Sequence, residues 1–157
     1  AMGDIVPPES IRDARAAAAD DGRRALEIVR QRAREWDVNP DKIGMIGFSA
    51  GAFLVVDVAM EPRAATPAFV GAIYGGETLG RPVPADAPPL FTCIAQDDLL
   101  LYRVIEGLYS DWTDAGRPAE LHIYRRGQHG FGMVKQGFPS DRWIEQFQEW
   151  LGDLGYG

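Results

Sequence analysis

Gly47-Phe48-Ser49-Ala50-Gly51 decides the fold. The run Lys42-Ile43-Gly44-Met45-Ile46 before it has strand character. The run Ala52-Phe53-Leu54-Val55-Val56-Asp57-Val58-Ala59-Met60 after it has helix character. A G-x-S-x-G between a strand and a helix predicts a nucleophile elbow. The turn is tight enough that the serine needs small neighbours two residues to either side. It points Oγ out of the top of a sheet and sets the amides of a helix N-terminus beside it. The chain holds 18 glycines in 157 residues, so the pentapeptide alone is weak. The strand and helix around it carry the reading.

A serine is a poor nucleophile without a base and a group to orient that base. The chain has two histidines. His122 sits in the alternating run Glu120-Leu121-His122-Ile123-Tyr124 and reads as a strand side chain. His129 sits in Gly127-Gln128-His129-Gly130-Phe131-Gly132, just past the C-terminal end of that strand, at the sheet edge where Ser49 is expected. The acid comes between them. Pro88-Pro89 leads into the buried-strand run Leu90-Phe91-Thr92-Cys93-Ile94-Ala95, followed by Gln96-Asp97-Asp98. Asp98 is preferred, because its distance from the strand end suits a carboxylate turning back toward a histidine. Asp97 then caps the next segment or orders the loop.

The chain resembles the C-terminal portion of α/β-hydrolase esterases of the carboxylesterase, acetyl esterase and xylan acetyl esterase-like group. The resemblance rests on residues 39–51, on Pro88-Pro89 through Asp97-Asp98, and on residues 119–132, and it runs from about Ile11 to the C-terminus. It implies Ser49 as nucleophile, His129 as base and Asp98 as orienting acid, with the Ala50 amide as one oxyanion donor. It also implies further oxyanion amides from a His-Gly-Gly-type loop upstream. Residues 1–9 hold no such loop, and Gly3 is a lone glycine. Ala1-Met2 reads as a cloning scar. The expectation is a shortened hydrolase or a piece of a larger one. Ala52 stands where many relatives have a second glycine.

Composition agrees with one domain: residues 1–9 as a tail, and residues 10–157 as a single catalytic domain. A chain of this length buries about 70% of its unfolded surface. Hydrophobic content is 46%, charged content 25% and net charge −7, which argues against a nucleic-acid partner. Arg23, Arg24, Arg30, Arg32 and Arg34 interleave with Asp20, Asp21, Glu27 and Glu35, as on a solvated helix face. The single Cys93 lies mid-strand, where an inert buried thiol is expected. No apolar run approaches the roughly 18 residues of a membrane span. No signal peptide is visible, and both cytoplasmic and secreted compartments stay open. No metal motif or phosphate loop is present, and no cofactor is expected.

The layout predicts an α/β fold with about four parallel strands, at 42–48, 69–75, 90–96 and 119–126, and helices on both faces. Ser10 with Asp13 resembles a capping box that opens a helix to about Trp36, striped by Leu26, Val29, Ala33 and Trp36. Further helices are expected at about 50–60, 100–115 and 140–153. Leu101, Ile105, Leu108 and Trp112 stripe the second of these, and Trp143, Phe147, Trp150 and Leu154 the third. Phe48, Phe53, Tyr74, Gly75, Phe131 and Met133 are candidates for a substrate pocket, against plain core packing.

The activity these readings predict is hydrolysis of short-chain acyl esters by a Ser-His-Asp acyl-enzyme route. A binding or assembly domain derived from a hydrolase, or an acyltransferase or peptidase on the same fold, are the alternatives. The strand at 42–48 has one evident neighbour, 69–75. Its other edge is therefore expected to be covered, by a second copy in a homodimer or by a segment absent from this chain.

Overall fold

Two strands are buried end to end and apolar but for Thr92, whose hydroxyl donates to the Ala72 carbonyl, and they fix the centre of the molecule. The computed structural model describes residues 8–61 and 66–156. The readings placed on residues 1–7, including Gly3 and the cloning scar, lie outside them. Among the described residues the strands are β1 Met45–Phe48, β2 Val70–Ile73, β3 Leu90–Ala95 and β4 Ala119–Tyr124. They form one parallel sheet in the order β1-β2-β3-β4. Every residue of β2 and β3 is buried, as expected for the middle of a parallel sheet covered on both faces.

The helices are α1 Glu9–Gln31, α2 Ala50–Met60, α3 Tyr102–Asp114 and α4 Trp143–Asp153. Strand register sorts them onto the two faces. Ile46, Gly71, Phe91 and Glu120 are aligned across the sheet. Phe91 on that row packs its ring against Phe147 and Trp150 of α4. The glycine at 71 leaves room there, since a Cβ would come within 3.2 Å of the Phe147 ring. The opposite face carries α2 and α3, whose Val56 and Leu108 meet beside Gly76. α1 lies outside α2, and Gly22 lets Leu54 and Val58 approach it.

Each expected strand is present, shorter by one to three residues. The helix stripes over residues 101–112 and 143–154 hold. Ile105, Leu108, Trp112, Trp143, Phe147 and Trp150 are buried. Trp112 also donates its Nε1–H to the Pro88 carbonyl, which answers the indole's one polar group.

Three expectations fail in the first helix. It opens at Glu9 with Pro8 as N-cap and no side-chain cap bond, so the Ser10–Asp13 box does not form. Instead, the Pro8 carbonyl accepts from the Ile11 and Arg12 amides. The helix also stops at Gln31. Residues 32–37 turn, Asp37 takes a φ of 53°, and Trp36 is half exposed with the Arg32 guanidinium over its ring. Arg23 is not on a solvated face. It is buried against α2, paired with Glu61 and Asp20.

Candidate active site

The elbow forms because β1 meets α2 with almost no chain between them. Phe48 ends the strand and Ala50 begins the helix, so Ser49 alone makes the turn. It does so at φ 50° and ψ −115°, a conformation that costs a side-chain-bearing residue of order 1–3 kcal/mol. Its amide donates to the Ile73 carbonyl at 3.0 Å. Its side chain makes no cap bond to the helix, which leaves Oγ available for another partner.

That partner is His129. Ser49 Oγ lies 2.8 Å from His129 Nε2, and His129 Nδ1 lies 2.7 Å from Asp98 Oδ2. A carboxylate only accepts, so Nδ1 carries the proton and Nε2 is left to accept from Oγ–H. The Asp98 side chain is fully buried, and its second oxygen accepts from the Leu100 and Leu101 amides at 3.1 Å each. Asp97 does what the sequence suggested for the other carboxylate. It is exposed, and its Oδ1 accepts from the Gln128 amide at 2.8 Å, tying the histidine loop to the acid loop.

The histidine loop is built from left-handed turns. Gln128, Gly130 and Gly132 have φ of 57°, 81° and 46°. The Gly132 carbonyl accepts from Trp143 Nε1 at 2.7 Å, which anchors the loop to α4. Tyr74 and the His129 ring meet in a T-shaped contact, with centroids 5.3 Å apart, and Phe131 packs against Tyr74 at 4.8 Å. Burial raises the Tyr74 phenol above its usual range, aided by Cys93 and opposed by the Gly132 amide, so it stays neutral. Burial likewise pushes the Cys93 thiol up, in keeping with an inert core residue.

The six pocket candidates divide. Phe48 and Met133 are exposed, at 38% and 64%. Phe53 is half-buried with the Arg15 guanidinium over its ring. Tyr74 and Phe131 are buried as the support under the imidazole. Gly75 has a different part: a Cβ there would come closer than 3.0 Å to the Ser49 carbonyl oxygen. Its smallness lets β2 pass against the elbow, a role that only the strand register reveals. Ala50 begins α2, so its amide lacks an intrahelical acceptor and belongs to the electropositive helix end beside Ser49. Among the described residues, no group of three His, Cys, Asp or Glu could hold a metal ion. No described helix is long and apolar enough to cross a membrane.

Four parallel strands with this elbow match known proteins. A family model for the alpha/beta hydrolase fold matches residues 12–87. The acetylxylan esterase of Xylanibacter ruminicola is 29% identical over 165 aligned positions, covering 83% of this chain. The acetyl ester-xyloside bifunctional hydrolase of Caldicellulosiruptor lactoaceticus superposes with a TM-score of 0.78 at 20% identity, over 88% of this chain and 66% of that one. Thermogutta terrifontis esterase 2, in a structure phosphoramylated by tabun, superposes at 0.72 and 22% identity, over 88% and 66%.

The fold is that of the α/β hydrolases. The chain spans about a third of the length of the curated acetylxylan esterase, 34%. It spans 66% of each of the two solved hydrolases.

Within this α/β-hydrolase elbow the two glycines of the motif are not equivalent. A Cβ at Gly47 would come closer than 3.0 Å to the backbone of Gly51 and Ala52, whereas one at Gly51 meets nothing within 4 Å. The expectation of small residues on both sides thus holds for Gly47 only. Gly47→Ala should lower the melting temperature by several degrees or prevent folding, because backbone cannot yield. Gly51→Ala should fold like the parent. Thermal unfolding followed by circular dichroism checks both, and equal losses at the two sites would contradict the asymmetry.

Proposed function

We propose that this chain is the catalytic part of a serine carboxylesterase that cleaves short-chain acyl esters. One observation carries the reading: the unbroken line from Ser49 Oγ through His129 to the buried Asp98 carboxylate, at 2.8 and 2.7 Å. Relatives described as an acetylxylan esterase and as an acetyl ester-xyloside hydrolase support an ester substrate.

In this mechanism Ser49 Oγ attacks the ester carbonyl carbon while Nε2 of His129 takes the hydroxyl proton. Asp98 holds the imidazole with its Nδ1–H inward and stabilises the imidazolium. The carbonyl oxygen becomes an oxyanion beside the first amides of α2, that of Ala50 among them. Collapse breaks the C–O bond, and His129 returns the proton to the departing alcohol. Water, deprotonated by the same imidazole, then attacks the acyl-serine and releases the acid. Nothing in these steps calls on a cofactor.

The open side of β1 bears on the working protein. Among the described residues β1 pairs only with β2, while Ile46 and Phe48 are 42% and 38% exposed. An apolar strand edge of this kind recruits a partner. We read it as paired in the working protein, by the same strand of a second copy in a homodimer or by polypeptide outside this sequence.

Ser49→Ala and His129→Ala should each abolish most ester hydrolysis, by 10³-fold or more as a rough scale, because the relay acts as a unit. Asp98→Asn should be nearly as severe, and Asp97→Asn mild. The measure is kcat/KM on p-nitrophenyl acetate with folding checked. A reversed ranking of the two aspartate variants would transfer the acid role to Asp97.

A fluorophosphonate probe should label Ser49 and leave Ser49→Ala unlabelled, which separates an activated serine from an inert fold relative. Among p-nitrophenyl esters, acetate to butyrate should turn over faster than laurate or palmitate, since Phe48, beside the half-buried Ser49, is exposed and leaves a shallow approach to it. Faster palmitate turnover would refute the short-chain reading.

Light scattering of this chain should show a dimer at micromolar concentration if a second copy covers β1. An active monomer whose residues 45–48 exchange amide hydrogens rapidly would show that nothing pairs with that edge.

A further inference from the structure

The loops after β3 and β4 border a shallow, open depression of about 400 Å³, lined by Gln96, Asp97, Arg125 and Arg126. It lies at the carboxyl edge of the sheet, the edge that carries Ser49, two to three strands away. Strand spacing puts it roughly 10 Å or more from the elbow. None of its four side chains takes part in the relay.

The two arginines are unlike most others in the chain. Arg15, Arg23, Arg81, Arg103 and Arg142 are held by carboxylates, and Arg117 by backbone carbonyls. Arg125 and Arg126 are exposed and make no ion pair or side-chain hydrogen bond among the described residues. Arg126 is fixed another way, with its guanidinium 4.8 Å over the Phe138 ring. In a chain of net charge −7, two adjacent unpaired guanidinium groups facing one concavity form a local reversal of sign. The guanidinium fork suits a planar oxyanion.

The other two lining residues narrow the class. Asp97 keeps one oxygen on the Gln128 amide, and its other oxygen has no hydrogen bond among the described residues. It cancels one of the two positive charges and repels a dianion. It can also accept from a hydroxyl, as the Gln96 amide can both donate and accept. A singly charged carboxylate on a molecule rich in hydroxyls meets all four groups. A phosphate dianion would face Asp97.

We propose that this depression binds the carboxylate of a sugar acid. Arg125 and Arg126 hold the carboxylate, while Gln96 and Asp97 take the hydroxyls. The acid can belong to the ester substrate itself or be a separate ligand, and the chemistry at the site is the same. The site stands apart from the serine reaction, so its test does not need turnover.

D-glucuronate titrated into the Ser49→Ala protein, followed by calorimetry or by amide chemical shifts, should bind saturably in the millimolar range. D-glucose should not bind. The double variant Arg125→Gln with Arg126→Gln should weaken glucuronate about tenfold or more, with the melting temperature little changed, because both side chains are exposed and the contact of Arg126 with Phe138 is the one interaction lost. Inorganic phosphate should bind more weakly than glucuronate.

With Ser49 intact, two arms separate the sources. If the acid is part of the substrate, acetylated glucuronate shows a lower KM than acetylated glucose, and the difference disappears in the double variant. If it is a separate ligand, free glucuronate alters kcat on p-nitrophenyl acetate in the parent and not in the double variant. The proposal is overturned if glucuronate shows no saturable binding, if glucose binds equally, if phosphate binds more tightly, or if the arginine substitutions leave binding unchanged.

Discussion

The approach of Gly47 to the Gly51 carbonyl is the constraint on which the rest depends. Strand and helix can be joined by one residue only if their backbones touch, and only a glycine at 47 permits that contact. The same contact forces Ser49 into a positive-φ conformation that a serine does not choose. The conformation persists because its surroundings over-determine it. The Ser49 amide is held by the Ile73 carbonyl, and its own carbonyl accepts from the Ala52 and Phe53 amides close beside Gly75. The apolar core that holds β2 in place therefore also holds the serine in its strained turn.

The hydrogen-bonded line from Ser49 through His129 to Asp98 borrows its order from the sheet. Parallel strands bring every strand's carboxyl end to one edge, so loops far apart in sequence arrive together. Asp98 and His129 are 31 residues apart, and the pairing of β3 with β4 sets them side by side. Asp98 needs no solvent to remain in place, because two backbone amides complete its acceptor set. His129 is more exposed, and its orientation comes from below: Tyr74 meets its ring, Phe131 backs Tyr74, and Trp143 holds the loop through Gly132. Aromatic packing here supplies geometry, and the charged groups are few.

How much of this was legible depended on whether a feature was local. The strand–turn–helix around Ser49 is a contiguous pattern, and so are the runs at 90–95 and 119–124, so four strands and three of the four helix placements could be read from spacing. Preferring Asp98 over Asp97 was possible because loop length past a strand is also local. Gly75 was read as part of a substrate pocket because its neighbour, the Ser49 carbonyl, is 26 positions away in sequence and only the β1–β2 register brings it near. Arg23 was read as solvated because its partner Glu61 lies 38 positions away, just past the end of α2. The end of α1 was misplaced because Ala33 and Trp36 continue the apolar spacing, while the chain leaves the helix at Arg32 and turns from there to Asp37. Periodicity shows where a face could lie and is blind to where tertiary packing stops using it.

α1 shows what such non-local partners achieve. A 23-residue helix with only four buried positions has little apolar surface to fix its seat. Arg15 compensates. It makes a two-pronged contact with the Asp57 carboxylate on α2 and a third bond to Glu77 in the loop after β2. Arg81 reaches the same Asp57 from that loop. Burial pulls the Arg15 guanidinium down, but hydrogen bonds and charge from Asp57 and Glu77 outweigh it and leave it raised. Buried ion pairs add little net stability once desolvation is counted, and losing one partner is costly. The network's effect is therefore one of position. It ties α1 to the helix that Ser49 opens and to the loop that follows β2, so a helix outside α2 is locked to both walls of the elbow.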